Sequence, residues 1–348
     1  MSSGEEGGTR RTGRLLLLGG FVAAGLVGAF AARFVIPAPR PSAEQPARPI
    51  VQIVRQQPGL PDLSDIIDRL CPSVAVILPH GADPPTAADI KSAARAFAVS
   101  TDGWLLTSAA DLPQGQRDAV FGDGTQVDLA ETRTDPASGL AIVKANEFAE
   151  PPLAFTDQAF PRVGQFGLAL ATPVGNGCSA DAAMIASDFL ADGGGTFGYV
   201  RLQSTPEVWA GGMPFLGADG RVLGITVTDP AGAVIPAPIV EIIVDELIRN
   251  SLSPSTEFGF RAVDYEPPFS SRLGNVRSGA GVAIVQAKSG AARAGLKAGD
   301  IVTAVDGVPV SSASELSRAL DAQPGAATLT LLRASQQRKL TVTRTSAE

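Results

Sequence analysis

Residues 208–225, VWAGGMPFLGADGRVLGI, hold a glycine pair, a short apolar run, an Asp-Gly turn at 219–220 and a second apolar run. Runs this short, punctuated by glycine and Asp-Gly, are the signature of β-strands joined by tight turns. The stretch contains no serine, which becomes important once its wider setting is clear.

Outward from it the same texture continues. SVAVIL at 73–78, AFAVS at 96–100, WLLTS at 104–108, LAIVKA at 140–145, FGLALA at 166–171, YVRLQS at 199–204 and RVLGITVT at 221–228 are all short β-runs. Their spacing indicates an all-β sandwich or barrel from about residue 72 to 235. Before it, PDLSDIIDRLCP at 61–72 sets Leu63, Ile66, Ile67 and Leu70 on one helical stripe that Pro72 ends. After it, PIVEIIVDELIRN at 238–250 predicts a helix with Ile239, Ile242, Ile243 and Leu247 inward, and SLSPSTE at 251–257 reads as a short linker. The last ninety or so residues mix strands (GVAIVQA, DIVTAVDG, ATLTLLR, KLTVTRT) with two short helices, one at 291–297. The other, SASELSRALDA, starts with the capping-box pair Ser312 and Glu315 and faces Leu316, Ala319 and Leu320 inward.

The chain has 348 residues, 45% of them hydrophobic, enough for two or three globular units at about 100–200 residues each. A net charge of −7 and a pI near 4.9 argue against nucleic acid or anionic lipid headgroups as partners of the surface. One histidine and two distant cysteines leave no metal-ligand spacing, and no cofactor is expected. At the N-terminus, Leu15–Ala32 runs 18 residues without a polar side chain behind Arg10, Arg11 and Arg14. This is longer than the core of a cleavable signal, so residues 15–36 read as a signal anchor with 1–14 in the cytoplasm; AFA at 29–31 leaves cleavage as the alternative. Gly20, Ala24, Gly28 and Ala32 recur every fourth residue, either as a helix-packing seam or as plain Gly/Ala richness. Seven prolines between Pro37 and Pro61 suit an extended tether over 37–60.

Together these pieces resemble the HtrA/DegP family, envelope proteins with a trypsin-like double β-barrel followed by a PDZ domain. The resemblance covers roughly residues 60–345. STDGWLLTSAADL at 100–112 is similar to the family's strand carrying the catalytic histidine. FGDGTQVDLAETRTDPASGLAIVKA at 121–145 is similar to the hairpin and strand carrying the aspartate, and RVGQFGLALATPVG at 162–175 to a glycine-rich strand, lacking one glycine. The opening stretch fits the nucleophile loop when aligned on Pro214, Gly220 and Gly224. The resemblance therefore implies a mainly β fold, with a trypsin-like domain at 61–250 and a PDZ domain at 258–345.

Matched residue by residue, the histidine position is Ala110 and the aspartate position is Gly139. The serine position is Gly211, or Met213 if Gln203 sets the frame. Acyl transfer on this fold needs a hydroxyl, an imidazole, a carboxylate to hold it, and backbone N–H donors for the oxyanion. The first three are absent, and Trp209 stands where the loop offers a glycine donor. No substitute emerges: His80 in ILPHGADPP reads as a solvated or satisfied histidine, Asp111 as a surface carboxylate, Ser108 and Ser138 as turn serines without a base, and Lys144 as a residue active members also carry. The expectation is a catalytically inactive pseudoprotease with no catalytic residue; the alternative is an active endopeptidase with a rearranged site.

The PDZ part keeps more. EFGFRAVD at 257–264 resembles the loop where HtrA-type PDZ domains grip a chain terminus, with Phe258, Gly259 and Phe260 at the gripping positions and Leu316 and Leu320 lining a pocket with them. Arg261 reads as an exposed arginine, the alternative being a charge near the bound carboxylate. The resemblance implies partners that are protein or peptide C-termini, a homotrimer or a mixed oligomer with an active paralogue, and folded domains in the periplasm of a bacterium, held by one inner-membrane span. A PDZ groove that is closed remains a third reading. Cys71 and Cys178 would lie where disulfides persist, either bridged or as two thiols.

Overall fold

The computed structural model describes residues 63–82, 93–147, 150–158, 160–172, 177–187, 190–191, 198–203, 210–265 and 278–345. The expected anchor at 15–36, the tether at 37–60 and Trp209 lie outside these residues. No helix among the described residues is long and apolar enough to cross a membrane.

The first helix, α1 (Ser64–Leu70), half-buries the anticipated stripe and packs Ile66 and Leu70 on the Gly220 turn. A closed barrel follows, built from β1 (Val74–Pro79), β2 (Ala94–Ala98), β3 (Trp104–Ser108), β4 (Arg117–Phe121), β5 (Gln126–Asp135) and β6 (Leu140–Ala145) in the order β1-β2-β3-β6-β5-β4. Strands buried on one face alternate in polarity, but β1, β2 and β3 do not. Their inner residues, such as Ala75, Ile77, Ala96 and Leu105, pack around Phe121 and Val143, where alanines leave room for the ring. Their outer residues Val74, Phe97 and Leu106 join a larger core shared with the next sheet. Each such side chain contributes about 1.5–3 kcal/mol of burial.

The second sheet comprises β7 (Phe166–Ala171), β8 (Ser179–Met184), β9 (Leu190–Ala191), β10 (Gly198–Arg201), β11 (Pro214–Leu216), β12 (Val222–Val227) and β13 (Ala233–Pro236), ordered β8-β7-β11-β12-β13-β10-β9. An antiparallel bridge between Ile185 and Leu202, just past the ends of β8 and β10, curls it back on itself. The quoted stretch supplies β11, the Asp-Gly turn and the start of β12.

Helix α2 (Ala237–Arg249) buries Ile239, Val240, Ile243, Val244 and Glu246, so its inner face is rotated from the expected one, leaving Ile242 and Leu247 only partly covered. Asn250, in the left-handed region at φ 52°, ends it. Residues 251–257 are not a free linker. They contain α3 (Pro254–Glu257), with Ser255 and Thr256 buried.

The last unit holds β14 (Phe260–Asp264), β15 (Ala280–Val285), α4 (Gly290–Arg293), β16 (Ile301–Val305), β17 (Val308–Pro309), α5 (Ala313–Asp321), β18 (Ala326–Arg333) and β19 (Gln336–Thr343). Its sheet runs β14-β15-β16-β18-β19, with β17 on β16. One face, with Phe260, Ala262 and Val282, covers Leu316 and Leu320 of α5. From the other, Val263, Ala283 and Ile284 join the core shared by the two sheets before it. At the start of α5, Ser312 Oγ accepts from Glu315 N–H, while the Glu315 carboxylate accepts from Ser311 N–H, one residue earlier than a capping box requires.

Two features tie these parts together. Cys71, before β1, and Cys178, before β8, form a disulfide across a separation of 107 residues, the bridged alternative of the two open in the sequence. Gly122 packs against both sulfurs and accepts from Gly177 N–H, where a side chain would not fit. The other tie is Arg261. Contrary to expectation it is 4% exposed, and its guanidinium holds Asp135 bidentately at 3.0 and 3.1 Å and Glu246 at 2.7 and 2.9 Å. Glu246 also accepts from Thr256 Oγ1 and Ser253 N–H, which is why the supposed linker is ordered.

A loop of this length implies about 2–5 kcal/mol from the disulfide, so Cys178→Ser is expected to lower unfolding free energy by that amount in urea titration. Alkylation without reductant should label neither thiol. Arg261→Met would strand two buried carboxylates and is expected to cost about 3–5 kcal/mol. Limited proteolysis should then cut between residues 250 and 258 faster than in the parent chain.

Candidate functional site

Between the barrel and the second sheet lies an open cleft of about 670 Å³, lined by Ser108, Ala110, Ser138, Gly139, Tyr199 and Thr228 among others. Ala110 sits in a one-turn helix after β3, and Gly139 at φ 72° in the turn between β5 and β6. The two are stitched together by Ala109 N–H donating to Gly139 O at 2.9 Å. That turn is held by Asp135, whose carboxylate accepts from Ser138 N–H and Ser138 Oγ. Gly211 faces the same place: a Cβ there would lie 2.6 Å from Thr228 Oγ1, 2.7 Å from Asp111 Oδ2 and 2.9 Å from Ser108 Cβ. Met213 instead is buried in the second sheet's core with its N–H on Thr226 Oγ1. The structure thus brings Ala110, Gly139 and Gly211 to one cleft.

Three polar groups at that cleft are bonded to one another. Gly211 N–H donates to Thr228 Oγ1 at 3.0 Å, and Thr228 Oγ1 donates to Asp111 Oδ2 at 2.8 Å. This relay spans the cleft and occupies the Gly211 N–H. A carboxylate can orient a threonine hydroxyl. Passing its proton on to a leaving amine calls for a group titrating near neutrality, usually imidazole.

The chain's single histidine is elsewhere. His80 follows β1, with Nδ1 2.7 Å from Asp118 Oδ1 and 3.8 Å from Asp128 Oδ1, and lines a different pocket with Gly115, Arg117 and Asp128. His80, Asp118 and Asp128 bring ligand-type atoms within 4.8 Å of one another, a cluster the sequence spacing had not suggested. Asp118 also accepts from Gly81 N–H and Gln126 Nε2, so the protein itself satisfies it. Lys144 Nζ is 2.7 Å from Asp102 and stands over the Trp104 ring, so it is no base for Ser108 or Ser138.

In the last unit, Phe258, Phe260, Leu316 and Leu320 are each at most 2% exposed and belong to its core. Gly259, at φ 87°, donates its N–H to Thr256 O, and a Cβ there would run into Ser289. Among the described residues, strand β14 is at the edge of its sheet, with α5 packed against it and no strand on its other side. Asp264 Oδ1 accepts from Ala313 N–H at 2.6 Å, pinning the strand to the start of α5.

Asp135 and Thr228 went unnoticed in the sequence. Thr228 gives no signal beyond ending a strand. Glu246, on the face of α2 that also carries Ile239 and Ile243, does signal a buried cation opposite.

Comparisons with known proteins agree with this architecture. Residues 281–333 match the PDZ domain family. The chain is 30% identical over 267 residues to a Brucella suis protein named "Probable periplasmic serine endoprotease DegP-like", covering 71% of this chain and 51% of that one. It is 26% identical over 242 residues to the periplasmic pH-dependent serine endoprotease DegQ of Escherichia coli, covering 65% and 53%. The chain thus spans about half the length of these relatives. Among solved structures it resembles the HtrA-type protease AlgW with decapeptide, at a TM-score of 0.51, 19% identity and coverage of 82% of this chain and 100% of that one.

The hydrogen bond to Asp118 and that residue's charge raise the His80 pKa above its ordinary 6.5. The stabilisation is therefore present in full below pH 6.5 and fades as the pH rises through the raised value. Imidazole NMR titration should show this elevation, and Asp118→Asn should bring the midpoint down.

Proposed function

The chain belongs to the HtrA/DegP-like family, and we propose that within it this protein is a catalytically silent member. In this reading it is a membrane-anchored scaffold that binds peptides or envelope proteins in the periplasm rather than cutting them. The observation that carries the reading is the place of the only imidazole: His80 is bound to Asp118, at a pocket that shares no lining residue with the cleft of Ala110 and Gly139. The Gly211–Thr228–Asp111 relay supports it, because it fills the nucleophile position with a bridge between the two sheets. A structural bridge there would favour holding the two sheets together over turning over substrate.

Peptides would bind by adding a strand to the free edge of β14. The buried Phe258, Phe260, Leu316 and Leu320 and the Ala313–Asp264 bond mean that α5 must first part from β14, so the groove opens on demand. The PDZ unit would select C-terminal segments with an apolar last residue. The apolar run at 15–36 would hold the protein at the inner membrane, as a homotrimer or a mixed oligomer with an active relative.

Incubating the purified protein with unfolded casein and with a fluorophosphonate probe should give neither turnover nor label. The triple variant Ala110→His, Gly139→Asp, Gly211→Ser serves as the reference for what the frame could support. Labelling of the wild-type chain at Ser108 or Ser138 would sink the proposal.

A further inference from the structure

The last unit has an open pocket of about 910 Å³ that shares no lining residue with the cleft, is lined by none of Phe258, Phe260, Leu316 and Leu320, and is lined in part by Leu252, Glu257, Lys288, Arg293 and Arg344. Its size falls in the range of ligand pockets, roughly 300–1,000 Å³. Its charge is unlike the rest of the chain. Three cations face a single carboxylate on a protein whose net charge is −7. The carboxylate is spent on one of them: Glu257 Oε2 lies 2.9 Å from Arg344 Nη1. Arg344 also stacks 5.4 Å from the centre of the Phe258 ring and donates to Asp321 O, so it is a fixed wall of the pocket. Lys288 and Arg293 are exposed and, among the described residues, neither has an ion-pair partner; Arg293 only donates to the carbonyl of Lys288. Leu252, at 58% exposure one of the few exposed large apolar side chains described, stands at the same pocket.

We propose that this pocket docks an acidic peptide segment of a partner protein, with its carboxylates on Lys288 and Arg293 and an adjacent apolar side chain on Leu252. Charge complementarity selects this occupant. Two cations without counter-charges among the described residues, beside one apolar side chain, match Glu or Asp next to Leu or Val, and the net charge of −7 disfavours non-specific binding of an acidic segment elsewhere. The inference stands apart from the proposed function, since it uses neither the β14 edge nor the cleft.

The test is fluorescence anisotropy on the full-length protein in neutral detergent, with a labelled peptide of alternating Glu and Leu, amidated at its C-terminus, and its Gln counterpart. The expected result is saturable binding of the Glu peptide that weakens with added salt. The double reversal Lys288→Glu, Arg293→Glu should weaken it about tenfold or more. Reversing Arg338 and Lys339, both exposed on β19, changes net charge equally and should leave it unaltered. Absence of saturable binding, equal affinity for the Gln peptide, or equal loss in both double variants would overturn the proposal. So would one-for-one competition by an unlabelled peptide with a free apolar C-terminus, which would assign the binding to the β14–α5 groove. None of these outcomes touches the casein and fluorophosphonate results.

Discussion

One guanidinium holds the molecule's parts in register. Arg261 lies on the first strand of the PDZ unit, Asp135 at the end of a barrel strand and Glu246 on the helix between them, and all three are buried. Two carboxylates cannot be kept from water without a cation, and a cation at that place cannot be kept without them. Such clusters add little stability compared with a well-packed apolar alternative. What this one supplies is geometry, since the planar fork of arginine meets Asp135 through two parallel bonds. Arg133 reinforces the joint by donating to the carbonyls of Leu247 and Ile248 at the end of α2, with its guanidinium over the Trp104 ring.

The consequences run into the cleft. Asp135 braces the turn that presents Gly139, and Gly139 receives the N–H of Ala109 beside Ala110. Ala110 and the Gly139 turn are therefore shaped by the same residue, Asp135, that seats the PDZ strand. The scaffold around them is kept, with the two sheets sharing one core, while Gly211, Thr228 and Asp111 are joined by hydrogen bonds across the cleft.

Most strands were legible in the sequence because apolar runs bounded by glycine carry their own signal. Where it failed, the reasons are physical. Strand β8, SADAAM, shows mostly small or polar side chains to solvent and has no run of β-branched residues to announce it. The inner face of α2 rotates because Glu246 turns toward Arg261, which hydropathy scores as an outward residue. The segment at 251–257 has linker composition, yet it is ordered by one carboxylate oxygen accepting two bonds.

Sequence alone determined the mainly β character, the PDZ unit, the family resemblance and the absence of more than one imidazole, because each rests on residue identity or on short-range periodicity. Only the tertiary structure decided that Cys71 pairs with Cys178, that Arg261 is an internal counter-ion, that Thr228 and Asp111 meet across the cleft, and that the residues expected to line a peptide groove lie in a core. Those contacts join residues from 15 to 126 positions apart. Which distant charges and hydroxyls come together is set by how whole sheets pack, and no local pattern encodes it.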